Sequence, residues 1–199
     1  MKITLIRHGL TEGNVKRLYY GSTDLPLLPE SIQLLKEYAA LGAFPKAERY
    51  YTSGMLRAEQ TFEAIYGPIP HGILRDMREI DFGSFEMRSY EDLKEDPAFI
   101  EWITGDFESN KCSSGESGVS VAERACRALD SVAKEGRDAV IITHGGVIGG
   151  VLMRLFPDEL GRFKYTPEPG SGFTIEYENG VPVGLEKFDV TGKNNDDRN

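Results

Sequence analysis

Hydrophobic residues recur along this chain with two periods. Lys2 to Ile6, KITLI, is a short apolar run rich in β-branched residues and predicts a first strand. From Pro29 to about Leu41, residues Ile32, Leu35, Tyr38 and Ala39 fall at helical spacing, and Pro29 suits a first helical turn. Ala47 to Tyr51 predicts a second strand. Ser53 then reads as the N-cap of a helix through Glu63, Ala64 and Ile65, and Gly67 to Pro70 as loop. Glu79 to Phe85 is short and irregular, with a glycine at 83. The charged stretch from Tyr90 to Gly118, rich in serine and glycine toward its end, reads as a small helix plus a mobile insertion outside the core.

The second half is more regular. Val119 to Ala133 predicts a long helix with Val121, Ala125, Leu129 and Val132 on one face. DAVIIT, Asp138 to Thr143, is an almost unbroken apolar run typical of a buried parallel strand. HGGVIGGVLMRLF follows, opening on glycines and continuing as helix to Phe156. FTIEYENGVPVGLEKF alternates around Asn179-Gly180, a two-residue hairpin signal. The last eight residues, GKNNDDRN, are expected to be disordered. Strands and helices alternate without repeats or a linker. This predicts one α/β domain over residues 1–191, with an insertion at about 87–118 and a tail at 192–199. The expected architecture is a three-layer sandwich: helices flank a mostly parallel sheet, and the hairpin adds antiparallel strands at one edge.

Composition narrows the partners. At 199 residues, 40% hydrophobic and 28% charged, the chain is ordinary globular material with enough length for a substantial core. A net charge of -9 argues against nucleic acid, whose backbone selects basic surfaces. An acidic protein that binds a phosphorylated ligand must build a local positive site against its own field. Cys112 and Cys126 give neither a disulfide framework nor a metal spacing, which fits free thiols in a reducing compartment. With no signal-peptide pattern and no apolar run of membrane length, a cytoplasmic protein is expected.

Two of the three histidines stand at the ends of predicted parallel strands, where ligands bind in such sheets: His8 after KITLI-Arg7, and His144 after DAVIIT. His71 lies in a Pro-Gly loop and is expected to be solvated. A strand-end histidine can simply hold a turn by hydrogen bonds. Here, however, each is followed by glycine, which lets backbone N–H groups approach an anion where a helix begins. Arg7 adjoins His8, and Arg57 lies on the helix after the second strand; guanidinium groups match phosphoryl oxygens, though either arginine alone would also suit a surface ion pair.

These motifs together resemble the histidine phosphatase family, the phosphoglycerate mutase-like fold. They are RHG with Thr11 and Asn14 behind it, Arg57 in TSGMLRAEQT, Glu79 in REIDFGSFE, and THGG at 143–146, in the family's order. Weaker matches are Tyr20-Gly21 through Leu27, and Gly115 to Ser117. The phosphatase branch is implied, similar to α-ribazole phosphatases and broad-specificity phosphatases.

The resemblance implies that neutral His8 attacks phosphorus and forms a phosphohistidine, which water then hydrolyses. Arg7, Asn14, Arg57, His144 and the Gly145 N–H would hold the phosphoryl oxygens. Glu79 would protonate the leaving group, which asks for partial burial beside the phosphate. Glu86 is a substitute for that role or a structural carboxylate. Tyr20 and Gly21 would contact substrate, and substrate choice should lie in Tyr19, Tyr20 and the 87–118 insertion, where Tyr90, Phe99, Trp102 and Phe107 form either an apolar wall or packing. No metal and no cofactor are implied.

Leu10, Gly13 and Gly54 depart from the family's usual residues, as does the missing glycine at the helix entry after Pro29. All of these flank the site and bear on substrate contacts more than on phosphoryl chemistry. The length favours hydrolysis of a small phosphorylated substrate over mutase-type transfer; a non-catalytic phospholigand-binding protein is the alternative on the same fold. The edge hairpin offers a surface for a homodimer.

Overall fold

A computed structural model describes residues 1–106 and 108–190. In chain order its elements are β1 (Lys2–Arg7), α1 (Glu12–Val15), β2 (Leu18–Tyr19), α2 (Pro29–Ala40), β3 (Arg49–Thr52) and α3 (Leu56–Tyr66). Then come β4 (Gly72–Ile73), β5 (Arg88–Ser89), α4 (Tyr90–Leu93), α5 (Pro97–Thr104) and α6 (Gly118–Ala133). The series closes with β6 (Ala139–Thr143), α7 (Gly145–Leu155), β7 (Gly172–Glu178) and β8 (Val181–Phe188).

Six strands form one mixed sheet in the order β4-β3-β6-β1-β7-β8. The first four run parallel; β7 and β8 are antiparallel additions, as the hairpin pattern predicts. Asn179 and Gly180 both take positive φ, 51° and 79°, which a two-residue turn matched to strand twist requires. β2 and β5 make a separate two-stranded ribbon that the sequence pattern does not predict.

Alternation along the central strands splits the core into two layers. Ile3 and Leu5 of β1 and Ala139 and Ile141 of β6 face the apolar sides of α6 and α7, through Val121, Ala125, Leu129, Val147 and Val151. Ile6, Val140 and Ile142 point to the opposite face, where Leu35 of α2 and Ala58 and Phe62 of α3 cover them. Helices on both faces of a mostly parallel sheet give the expected three-layer α/β sandwich.

Two expectations need correction. The stretch from 90 to 118 is not a mobile insertion outside the core. Leu93, Phe99, Trp102 and Cys112 are buried in the same cluster as α6 and α7, because helical spacing on α5 turns Phe99 and Trp102 inward against Phe85. Phe99 and Trp102 are therefore packing, with Tyr19 meeting both edge-on, while Tyr90 is exposed. Phe107 and the tail lie outside the described residues. His71, in its loop, is half-buried rather than solvated: its Nε2 meets a Glu59 carboxylate oxygen at 2.9 Å and its ring packs against Phe62 at a 45° tilt. Among the described residues no helix is long and apolar enough to cross a membrane.

Candidate active site

Strand register builds the site. β1 and β3 both pair with β6, with Arg7 opposite Thr143 and Thr52 opposite Ile142. The three strands end nearly level, so the residue after each (His8, Ser53 and His144) emerges at one rim. The His8 and Ser53 N–H groups continue the ladder to the Thr143 and Ile142 carbonyls at 2.9 and 3.1 Å. All three residues are buried, and the two imidazoles stand 5.2 Å apart, tilted by 59°.

His8 has a defined tautomer. Its Nδ1 lies 2.7 Å from the Gly9 carbonyl, which can only accept, so Nδ1 carries the proton and Nε2 keeps the lone pair. Burial, then the charges of Arg57 and Arg7, hold its pKa well below 6.5; the Gly9 bond opposes this and loses. The Gly9 and Leu10 N–H groups are fixed by the Thr61 and Ser31 hydroxyls at 2.9 and 2.8 Å.

His144 is held just as tightly. Arg57, fully buried, donates Nε to His144 Nδ1 at 3.2 Å. That bond requires a bare Nδ1, so Nε2 is protonated and donates to Ser53 Oγ at 2.8 Å. Burial first, and Arg57 second, keep His144 neutral with a pKa well below 6.5. Both ring nitrogens are thus occupied by protein partners.

Ser53 does not cap α3, which corrects the sequence reading. The N-cap residue is Met55, whose side chain makes no capping bond; instead the Asp24 carboxylate takes the Leu56 N–H at 2.9 Å. The missed role of Ser53 had a signal: it follows β3 as His8 and His144 follow their strands.

Arg57 also bonds the loop after β2, and its Nη2 keeps a second N–H. Its Nη2 bonds the Gly21 carbonyl at 2.8 Å, and Nη1 the Thr23 carbonyl at 3.1 Å. That loop is in turn hung on Glu86, whose carboxylate accepts the N–H groups of Gly21, Ser22, Thr23 and Phe82 at 2.9–3.1 Å. Burial pushes the Glu86 carboxyl up, but hydrogen bonds from Thr23, Phe82 and Ser22 outweigh it and hold the pKa below the ordinary 4.5. Glu86 is the structural carboxylate of the two readings. Gly21 is obligatory because a Cβ there would sit 1.6 Å from the Ile80 carbonyl oxygen. Tyr20 is buried against Arg57, its hydroxyl 2.6 Å from Thr11 Oγ1, and its ring fills the space beside Gly13.

The remaining groups converge from α1 and α7. Asn14 Oδ1 accepts the Thr11 N–H and hydroxyl at 3.0 and 3.1 Å, which leaves its amide Nδ2 as the group it can offer. Arg7 Nη1 donates to the Pro167 carbonyl at 2.8 Å, whereas its buried Nε has no partner among the described residues. A Cβ on Gly145 would lie 3.3 Å from the Arg7 guanidinium carbon, so Arg7 lies against the first turn of α7, whose N–H groups form the positive helix end. Glu79, half-buried, accepts the Gly146 N–H at 3.1 Å in that same turn. Arg7, His8, Arg57, His144 and Gly145 therefore meet at one rim of the sheet, and Asn14 is tied to Thr11, whose hydroxyl meets Tyr20 beside Arg57. What this arrangement can do is bind a tetrahedral dianion between two arginines and a helix start, with a neutral imidazole nitrogen beside it. No cluster of three or more His, Cys, Asp or Glu placed to hold a metal occurs among the described residues.

A cage of this kind, on this sheet, defines a phosphoryl-handling α/β enzyme. The family model of the histidine phosphatase superfamily (branch 1) matches residues 3–189, and the chain belongs to that superfamily. Among curated relatives, the adenosylcobalamin/alpha-ribazole phosphatase of Salmonella typhimurium (strain LT2) is 29% identical over 161 residues, 78% of this chain and 79% of that protein. The solved alpha-ribazole phosphatase of Shigella flexneri superposes with a TM-score of 0.83 over 94% of this chain and 96% of its own, at 24% identity. A phosphoglycerate mutase from Thermus thermophilus is 30% identical with a TM-score of 0.73, covering 95% of this chain and all of its own (100%).

Proposed function

We propose that this protein is a metal-independent phosphomonoester hydrolase acting on a small phosphorylated metabolite. The observation that carries the reading is His8 itself: buried, its Nδ1 proton fixed on Gly9 so that Nε2 keeps the lone pair, and held neutral by burial and by the charges of Arg57 and Arg7. In the first step Nε2 attacks phosphorus, the N–P bond forms, and the ester P–O bond breaks. The Glu79 carboxyl gives its proton to the departing alkoxide. In the second step water attacks phosphorus, Glu79 takes up the water proton, and the N–P bond breaks to return free imidazole and phosphate. Arg7, Arg57, Asn14 and the Gly145 N–H take the phosphoryl oxygens, where negative charge is spread in the transition state.

The ring of His144 keeps Arg57 in place and adds a neutral wall. Such a ring, with both nitrogens engaged, favours phosphate by fixing its neighbours rather than through a proton of its own. A mutase differs only in the acceptor, a substrate hydroxyl in place of water.

The test is release of inorganic phosphate from p-nitrophenyl phosphate, with and without chelator, by wild type and His8→Ala. Turnover that survives chelator and falls by about a thousandfold or more in His8→Ala, with an unchanged melting temperature, is expected. Activity that persists in His8→Ala, or dies in chelator, overturns the reading. Isomerisation of 3-phosphoglycerate faster than phosphate release would replace hydrolase by mutase.

A further inference from the structure

A cavity of about 400 Å³ opens beside Glu79, at the small end of the range of about 300–1,000 Å³ typical of metabolite pockets. It is lined by three arginines and three carboxylates: Arg75, Arg78, Arg124, Glu79, Asp81 and Glu116. Ser22 and the buried Met55 complete its surface. Formally the charges cancel, but their commitments differ.

Arg124 and Glu116 are spent on each other and on the backbone. The guanidinium takes both Glu116 oxygens, at 2.9 and 2.8 Å, and also the carbonyls of Asp76, Arg78 and Glu79 at 2.6–3.0 Å. Asp81 accepts the Ser22 hydroxyl at 3.1 Å and the Gly83 N–H at 2.8 Å. Arg75 and Arg78 have no ion-pair or hydrogen-bond partner for their guanidinium groups among the described residues. They stand three residues apart around the one-turn 3-10 helix Arg75–Met77, whose spacing puts such positions on one side. That turn is rigid: the Arg78 N–H closes it onto the Arg75 carbonyl at 3.2 Å, Met77 is fully buried beneath it, and Arg124 grips the Asp76 carbonyl.

The cavity adjoins the phosphate cage at Glu79, which touches the first turn of α7. A group in it therefore lies on the leaving-group side of the substrate. We propose that Arg75 and Arg78 form a second anion subsite, so that the preferred substrate is a small phosphomonoester with a second anionic group, a carboxylate or another phosphate, on its leaving group. This rests on the hydrolase reading for its chemistry, and not for its binding. Two uncommitted guanidinium groups beside a catalytic acid also answer the electrostatic difficulty of the chain: at a net charge of -9 a doubly anionic substrate needs local positive charge along its whole length.

The test compares substrates that differ only in the second anion. Wild type should show kcat/KM at least about tenfold higher for 3-phosphoglycerate than for glycerol 1-phosphate, the worth of one charge-assisted bond or more. The R75A/R78A double variant should lose that preference through a higher KM, with p-nitrophenyl phosphate turnover unchanged. 2,3-Bisphosphoglycerate in the same series separates a second phosphate from a carboxylate as the favoured group. Calorimetric titration of His8→Ala with 3-phosphoglycerate and glycerol 1-phosphate reads the preference without catalysis, so a failed hydrolase assay leaves this test standing. No preference in wild type, a preference that survives in R75A/R78A, or equal losses on p-nitrophenyl phosphate would each overturn the subsite.

Discussion

Arg57 donates Nε to His144 Nδ1 across 3.2 Å, a bond that only an uncharged imidazole can accept. His144 donates its one ring N–H, on Nε2, to Ser53 Oγ, and His8 stands neutral 5.2 Å away. The positive charge of the site therefore resides in its guanidinium groups, and His8 stays neutral at pH values below the ordinary histidine range.

Both histidines have folded pKa values below the ordinary 6.5, so the unfolded chain binds more protons than the folded one in the window beneath that value. Their stability contribution is full above pH 6.5 and is lost as pH falls below it. NMR should find the His8 and His144 ring signals still at neutral positions at pH 6, while the urea midpoint drops between pH 7 and 5. A ring signal of either residue titrating near 6.5 would contradict the buried, arginine-flanked arrangement.

Ser53→Ala removes the acceptor of a buried imidazole N–H. Leaving that donor unmet should destabilise by about 1–3 kcal/mol. Freed from Ser53, His144 loosens its hold on Arg57, and kcat/KM should fall by about tenfold to a hundredfold. Circular dichroism melts and initial rates on p-nitrophenyl phosphate check the two halves separately; a stability loss with full activity would make Ser53 merely structural.

Glu86→Gln keeps the shape of the group that receives four backbone N–H bonds but removes its charge. About 1.5–3 kcal/mol should be lost at pH 7. The folded pKa of Glu86 lies below 4.5, so this stabilisation is present above pH 4.5 and disappears as pH falls through the folded value. Denaturant curves of wild type and variant should accordingly converge as pH falls below 4.5. Because the loop it anchors supplies the carbonyls that hold Arg57, kcat/KM should drop as well.

Gly146→Ala separates chemistry from folding. A Cβ there would stand 2.6 Å from Glu79 Oε1, the end of a side chain able to move, while alanine suits the helix better than glycine by up to about 1 kcal/mol. Stability should hold or rise and kcat should fall by about tenfold, since the carboxyl is pushed off the α7 N-terminus. Unchanged kcat on alkyl phosphates, whose leaving groups need the proton most, would argue against Glu79 as the acid.

More of the cage than of its supports is legible in the sequence. His8, Arg57 and His144 stand out because each follows or opens an element whose apolar pattern is strong: KITLI, the amphipathic α3 and DAVIIT. Strand ends in a parallel sheet converge on one side whatever the side chains between them. Ser53 reads as a cap because capping is a local rule, and the Asp24 carboxylate that takes that role comes from 32 residues away. The stretch 90–118 misleads for a related reason: its polar composition conceals Leu93, Phe99 and Trp102, whose burial depends on Phe85 and α6 arriving from elsewhere.

The amino-acid order by itself determined the long strands and helices of the sandwich, the hairpin at Asn179-Gly180 and the set of chemical groups, because these depend on periodicity and turn chemistry within about twenty residues. Tertiary structure alone decided which imidazole nitrogen keeps its lone pair, that Glu86 is a half-buried anchor, and that the guanidinium groups of Arg75 and Arg78 are left without partners among the described residues. Those outcomes follow from hydrogen-bond satisfaction among groups distant in the chain, which no local pattern records.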